Sequence, residues 1–119
     1  MASLMRLDLF GIPNCDTVKK ARQWLDQRGH AVAFHDYKKV GVDAAALDRW
    51  IDQVGWERLL NRAGTTFRKL DEADRLDIDR AKARALMLAH PSLIKRPVVE
   101  GAGELLVGFK PADYEASGL

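Results

Sequence analysis

Between Leu7 and Ala21 the chain changes its period, and its sole cysteine sits where the change happens. Leu7 and Leu9 alternate with Asp8 and Phe10, which predicts a short strand. Gly11-Ile12-Pro13 interrupts it, because proline has no amide hydrogen and a fixed backbone angle. Helical spacing begins at once: Val18, Ala21 and Leu25 fall at i, i+3 and i+7, with Trp24 beside them. A strand, a tight turn and a helix in so short a stretch narrow the possible folds, and they put Cys15 at a helix N-terminus.

A thiol in that position faces unpaired backbone N–H groups and the positive end of the helix dipole. Both favour thiolate, and cysteine pKa values at such places fall from about 8.5 to roughly 3.5–7.5. Lys19, four residues on, shares the face and can lean back over the sulfur. Asp16 suits the dipole but opposes ionisation of its neighbour. The balance predicts a reactive cysteine rather than the small buried hydrophobe that an isolated cysteine usually is.

The whole chain, 119 residues, suits one domain able to bury roughly two-thirds of its unfolded surface. A formal charge of +2 is too small to argue for nucleic acid, and a pI near 8.8 mildly favours small anionic ligands. One cysteine rules out an internal disulfide and points to a reducing compartment. Met1 to Arg6 carries no apolar run of leader length, and no stretch approaches the ~20 apolar residues of a membrane span. The expectation is a soluble cytoplasmic monomer, with no nucleic-acid or membrane partner.

Farther along, a helix from Asp16 to Arg28 should end at Gly29, and His30 to Tyr37 reads as a strand parallel to the first. Lys38-Lys39-Val40-Gly41 reads as a turn, and Asp43 as the cap of a helix carrying Leu47, Trp50, Ile51 and Val54. Gly55 breaks that helix, and Trp56 to Leu60 forms a shorter one. Asn61 to Thr66 reads as a polar loop, and the acidic stretch Phe67 to Asp79 as solvated surface with helix caps. Asp79 should cap a helix through Ala89, closed by His90-Pro91. Leu93 to Glu100 leads into a strand, Glu104 to Gly108 returns antiparallel, and Lys110-Pro111 opens a terminal helix.

That order, with cysteine after the first strand and proline before the third, resembles the thioredoxin fold. More closely, Gly11-Ile12-Pro13-Asn14-Cys15-Asp16-Thr17 together with Pro91-Ser92-Leu93-Ile94-Lys95-Arg96-Pro97 is similar to the arsenate reductase (ArsC)/Spx family. Between them, Gly55 to Arg68 is similar to its YffB branch. The resemblance covers nearly the whole chain. It implies an α/β, thioredoxin-like single domain over residues 1–119. Its sheet would be four-stranded and mixed, with helices on both faces and a helical insertion after the second strand. It also implies an active cysteine and a facing cis-proline, Pro97.

Arsenate reductases of the family use one cysteine, glutathione and glutaredoxin, and surround the oxyanion with arginines. Cys15 matches the nucleophile, Arg96 matches one oxyanion arginine, and Arg62 falls near a second. The third position, before the proline of the last helix, is Lys110, a point charge where arginine would offer a planar two-point fork. Spx regulators commonly carry a Cys-x-x-Cys switch, and Val18 stands at its second position.

A single thiolate runs disulfide chemistry if an external thiol resolves the mixed disulfide. Cys15, Lys19, Arg96 and Lys110 supply sulfur and cations, and Pro97 lets an extended peptide lie alongside. Asn14, Asp16 and Thr17 are polar neighbours that also suit a turn and a helix start. A phosphatase Cys-x5-Arg loop would need arginine where Ala21 stands, with Arg22 one residue late. His30, His35 and His90 carry no cysteine-protease signature, and no metal-ligand spacing is present. The reading is therefore a glutathione-dependent thiol reductase with no bound cofactor and glutathione as co-substrate. Glutaredoxin is a possible partner. A glutaredoxin-coupled arsenate reductase and a non-enzymatic Spx-like binder of RNA polymerase stand as alternatives.

Overall fold

The structure is a computed structural model that describes residues 4–119. The start of the Met1–Arg6 stretch considered above lies outside the described residues. These fall into two compact units, residues 4–39 with Arg96–Leu119, and Val40–Lys95.

The first unit begins with β1 (Arg6–Gly11), whose Leu7 and Leu9 are buried while Arg6 and Asp8 are exposed. Next comes α1 (Asp16–Gln27), which buries Val18, Ala21 and Leu25, the spacing seen in the sequence. Gly29, at φ +81, ends it in the left-handed conformation that glycine adopts without a Cβ penalty. Parallel to β1 runs β2 (Ala31–Asp36), with Leu9 beside Phe34 and Gly11 beside Asp36. The chain then forms α2 (Tyr37–Val40), where the sequence suggested a strand end and a plain turn. The carboxylate of Asp36 explains the difference: it accepts the backbone N–H groups of Lys38 and Lys39, both at 3.1 Å, and so starts a helical turn.

The second unit opens with α3 (Ala44–Val54), capped by Asp43, which accepts the Ala46 N–H at 3.1 Å. Gly55, at φ +86, separates it from α4 (Trp56–Leu59). Two further turns follow, α5 (Thr65–Arg68) and α6 (Glu72–Arg75), so Thr65 and Thr66 are not in the loop expected for them. The Arg68 side chain donates to the Ala63 carbonyl, which draws the preceding loop onto the α5 turn. Asp79 caps α7 (Arg80–Ala89) by accepting from Lys82 N–H at 2.8 Å. Arg84 of α7 grips Asp48 of α3 with two hydrogen bonds, and Arg80 pairs with Asp52. A 3-10 turn, Pro91–Leu93, leads to an isolated antiparallel bridge between Leu60 and Ile94. Trp50, Leu47, Leu59, Leu60, Met87 and Ile94 are buried here, each worth about 1.5–3 kcal/mol relative to full exposure.

Back in the first unit, β3 (Val98–Glu100) lies antiparallel to β1 and β4 (Leu106–Val107) antiparallel to β3. Both strands are shorter than their apolar runs suggested. The result is a four-stranded mixed sheet ordered β2-β1-β3-β4, the sheet the resemblance implies. The terminal helix, α8 (Pro111–Ala116), has Pro111 in its first turn. Leu7, Leu9, Val99 and Leu106 of the sheet form one core with Val18, Ala21 and Leu25 of α1 and Tyr114 of α8. Trp24, Phe109 and Tyr114 meet edge to face within it, with centroids 5.1–6.2 Å apart. Among the described residues no helix is long and apolar enough to cross a membrane.

Candidate active site

Cys15 stands at the exit of β1, where three chain segments meet at one end of the sheet. Since β1 and β2 are parallel, Tyr37 leaves the sheet at the same end as the loop after Gly11. Since β3 is antiparallel and Val98 pairs with Phe10, Arg96 and Pro97 enter the sheet from that end as well. The Arg96–Pro97 bond is cis, as the resemblance implied.

Cys15 is the N-cap residue of α1, half-buried against the first unit's core, and its side chain makes no capping hydrogen bond. Burial raises its pKa. The backbone N–H of Val18, a hydrogen bond from the Arg96 side chain, the N–H of Thr17 and the Arg96 charge all lower it, and together they prevail. The thiol therefore ionises more readily than an ordinary cysteine. The reason is the pairing of helix-end amides with a guanidinium.

The expected contribution of the helix end is thus present, but the cation is Arg96 and not Lys19. Lys19 is an exposed residue whose backbone N–H donates to the Cys15 carbonyl at 2.9 Å, as any fourth helical residue does. Helical spacing identified a shared face. It could not identify a side chain delivered from a distant strand.

The other expected residues fall as follows. Asn14, Asp16 and Thr17 are exposed around Cys15, and Thr17 contributes through its amide. Pro97 is buried, and its carbonyl accepts the Gly108 N–H at 2.8 Å. Lys110 is exposed and is the N-cap residue of α8, two residues beyond Gly108. Arg62 belongs to the second unit, where its guanidinium lies 5.2 Å from the centroid of the Trp56 ring. Of these, the structure brings Cys15, Thr17 and Arg96 into direct interaction.

Tyr37 was not singled out in the sequence. It is buried, and the Arg96 side chain hydrogen-bonds it. Burial holds its phenol well above the usual tyrosine range, against the pull of Arg96, and the Cys15 charge adds to the rise. The signal that could have found it is its place one residue past a strand parallel to the cysteine strand.

Two histidines have partners in the sheet region: His30 accepts the Met5 N–H through Nδ1, and His35 pairs with Asp8 and stacks on Phe10. Among the described residues no group of His, Cys, Asp and Glu could hold a metal ion. The arrangement suits a nucleophilic or redox thiolate with an anion-binding arginine beside it.

The chain is similar to several known proteins. A family model described as "ArsC family" matches residues 10–117. The solved structure of the YFFB (PA3664) protein shares 59% identity at a TM-score of 0.90, over 95% of this chain and 99% of that one. An arsenate reductase (ArsC) related protein from Brucella melitensis shares 60% identity at a TM-score of 0.75, over 96% and 95%. An uncharacterised protein of Haemophilus influenzae is 39% identical over 111 residues, 93% of this chain and 97% of its own. At 26% over 114 residues, 91% of this chain and 80% of the relative, stands the global transcriptional regulator Spx of Streptococcus mutans.

Proposed function

The chain belongs to the ArsC family, and we propose that within it this protein is a glutathione-dependent thiol–disulfide oxidoreductase working through Cys15 alone. The observation that carries the reading is the Cys15 sulfur held between the amides of α1 and the Arg96 side chain. A lowered pKa raises the fraction of thiolate at a given pH over that of an ordinary cysteine and makes the same sulfur a better leaving group in the return step.

In the forward step the Cys15 thiolate attacks the glutathione sulfur of a substrate–glutathione disulfide. A new S–S bond forms, the old one breaks, and the substrate leaves as a thiolate with the bonding electron pair. A second glutathione thiolate then attacks the glutathione sulfur on Cys15. Oxidised glutathione departs and the Cys15 thiolate returns. Arg96 and Lys110 attract the carboxylates of glutathione, with Asn14, Asp16, Thr17 and Lys19 lining the approach and cis-Pro97 bordering it. Glutaredoxin can take over the resolving step. The chemistry requires a reducing compartment such as the cytoplasm, and neither a bound cofactor nor an oligomer.

Arsenate reduction is the second reading, favoured by the description of the Brucella melitensis relative. There Arg96 would face the oxyanion. Lys110 weighs against it, because lysine supplies charge without a two-point grip. A binding role without turnover, with RNA polymerase or another protein as partner, is the third, favoured by the Spx relative. Val18 stands against a Cys-x-x-Cys switch in that role.

The test is incubation with oxidised glutathione and mass spectrometry, followed by turnover of a glutathione mixed disulfide with glutathione as reductant. One glutathionyl group on Cys15 and turnover abolished by Cys15→Ser are expected. Arsenate turnover with glutathione and glutaredoxin that exceeds disulfide turnover would establish the second reading instead. Absence of any mixed disulfide would overturn the oxidoreductase reading.

A further inference from the structure

Tyr37 is the first residue past β2 and is 1% exposed. Burying a phenol costs free energy unless its oxygen finds a partner. The sheet register delivers it, Cys15 and Arg96 to one end of the first unit, on three separate segments. There the Arg96 side chain hydrogen-bonds both the Cys15 sulfur and the Tyr37 oxygen. A guanidinium carries five N–H donors in a rigid planar fork, so one arginine can serve both acceptors at once.

We propose that Tyr37 is a positioning residue whose buried hydroxyl oxygen accepts from Arg96 and holds the guanidinium against the Cys15 sulfur. A long side chain with one anchor keeps much of its rotamer freedom, and a second anchor on a buried ring removes it. The thiolate then meets a cation already in place. The phenol is suited to this because it stays neutral over the range in which Cys15 ionises. A phenolate would claim the positive charge for itself and repel the sulfur.

Tyr37 acts through Arg96, so its removal should matter only while Arg96 is present. The role rests on Cys15 being the reacting group, as proposed above, and the experiment separates the two. Iodoacetamide alkylation of Cys15 is followed against pH in wild type, Tyr37→Phe, Arg96→Ala and the double variant, with melting followed by circular dichroism.

Tyr37→Phe keeps the ring and should still fold. Its titration midpoint should move up, so that alkylation below the wild-type midpoint slows about threefold or more, each pKa unit being tenfold in thiolate fraction. The double variant should match Arg96→Ala alone. Arg96→Lys, which keeps the charge but not the fork, should fall between wild type and Arg96→Ala, and it tests the anchoring without touching the tyrosine.

A depressed wild-type midpoint that Tyr37→Phe leaves in place overturns the Tyr37 role alone. So does full additivity in the double variant, or an Arg96→Lys profile identical to wild type. A wild-type midpoint at the ordinary thiol value overturns the proposed function and this role together.

Discussion

The backbone N–H of Gly108 donates to the carbonyl oxygen of Pro97 across 2.8 Å. The Tyr114 hydroxyl donates in turn to the Gly108 carbonyl, also at 2.8 Å. These two bonds run from the cis-proline, through the exit of β4, into the core of the first unit. Lys110 lies on the segment between them, and its side chain makes no capping hydrogen bond to α8. Its backbone is thereby fixed relative to the Pro97 side of the site, while its ammonium is not used by the helix it begins.

Lys110→Ala should weaken glutathione binding, and added salt should weaken binding to wild type, because exposed charges are screened over about 10 Å at 0.1 M. Lys110→Arg should raise whatever arsenate turnover is present by restoring a two-point grip. Affinity by calorimetry and turnover at fixed ionic strength check both. Glutathione binding indifferent to Lys110→Ala would remove this residue from the site.

The Cys15 pKa is linked to stability. A thiol whose pKa is lower in the folded state contributes stability above its unfolded pKa, about 8.5. That contribution is lost as pH falls through the lowered folded value. Urea unfolding of wild type and Cys15→Ser, compared at several pH values, should show a difference that grows in favour of wild type as pH rises through this window. Arg96→Ala should shrink the growth. A difference that stays flat with pH would mean that burial of the sulfur cancels its helix-end and Arg96 partners.

Local chemistry was what the sequence showed best. Asp43 and Asp79 bond to amides three residues on, Gly29 takes its left-handed angle, and Pro111 opens α8. Each is settled within a few neighbouring residues, so a linear reading finds it. Arg96 and Tyr37 are different. Their meeting with Cys15 depends on the parallel register of β1 with β2 and the antiparallel register of β1 with β3. Strand alternation even misplaced Tyr37, because the Asp36 carboxylate had already begun a helical turn there. The resemblance supplied Arg96 as an oxyanion group, and the structure adds that it binds the sulfur. For Arg62 the resemblance gave a site role, whereas the contact observed is with Trp56 in its own unit.

Tyr37 and Tyr114 should make the fold sensitive to alkali. Burial raises both phenols above their ordinary range, so in the folded state they resist ionisation while in the unfolded chain they ionise near pH 10. The stability they contribute is therefore complete below about pH 10 and is lost as pH rises beyond it. Tyr114→Phe should cost about 1 kcal/mol at neutral pH for the bond to Gly108, yet reduce the alkaline fall relative to wild type. Unfolding free energies at about pH 8 and pH 11 measure both effects. A Tyr114→Phe variant with an undiminished alkaline fall would place that sensitivity elsewhere.

Gly11 closes β1 four residues before Cys15, and α1 presses on it from above its missing side chain. A Cβ at this position would stand 2.9 Å from Cγ2 and 3.4 Å from Cγ1 of Val18. Val18 is fully buried and β-branched, so it cannot turn aside cheaply. Gly11→Ala should destabilise by about 1–3 kcal/mol, the usual cost of overpacking a filled core. Val18→Ala should cost about 2 kcal/mol through lost burial and a residual cavity. In the double variant the new methyl group occupies space that the valine vacated, so the total should fall short of the sum by about 1 kcal/mol or more. The same clash reaches the chemistry, because Val18 lends its amide to the Cys15 sulfur. Gly11→Ala should therefore also raise the pH midpoint of Cys15 alkylation, and Val18→Ala in the same chain should restore it. Strict additivity of stability, with an unmoved midpoint, would mean that β1 and α1 separate without disturbing the cysteine.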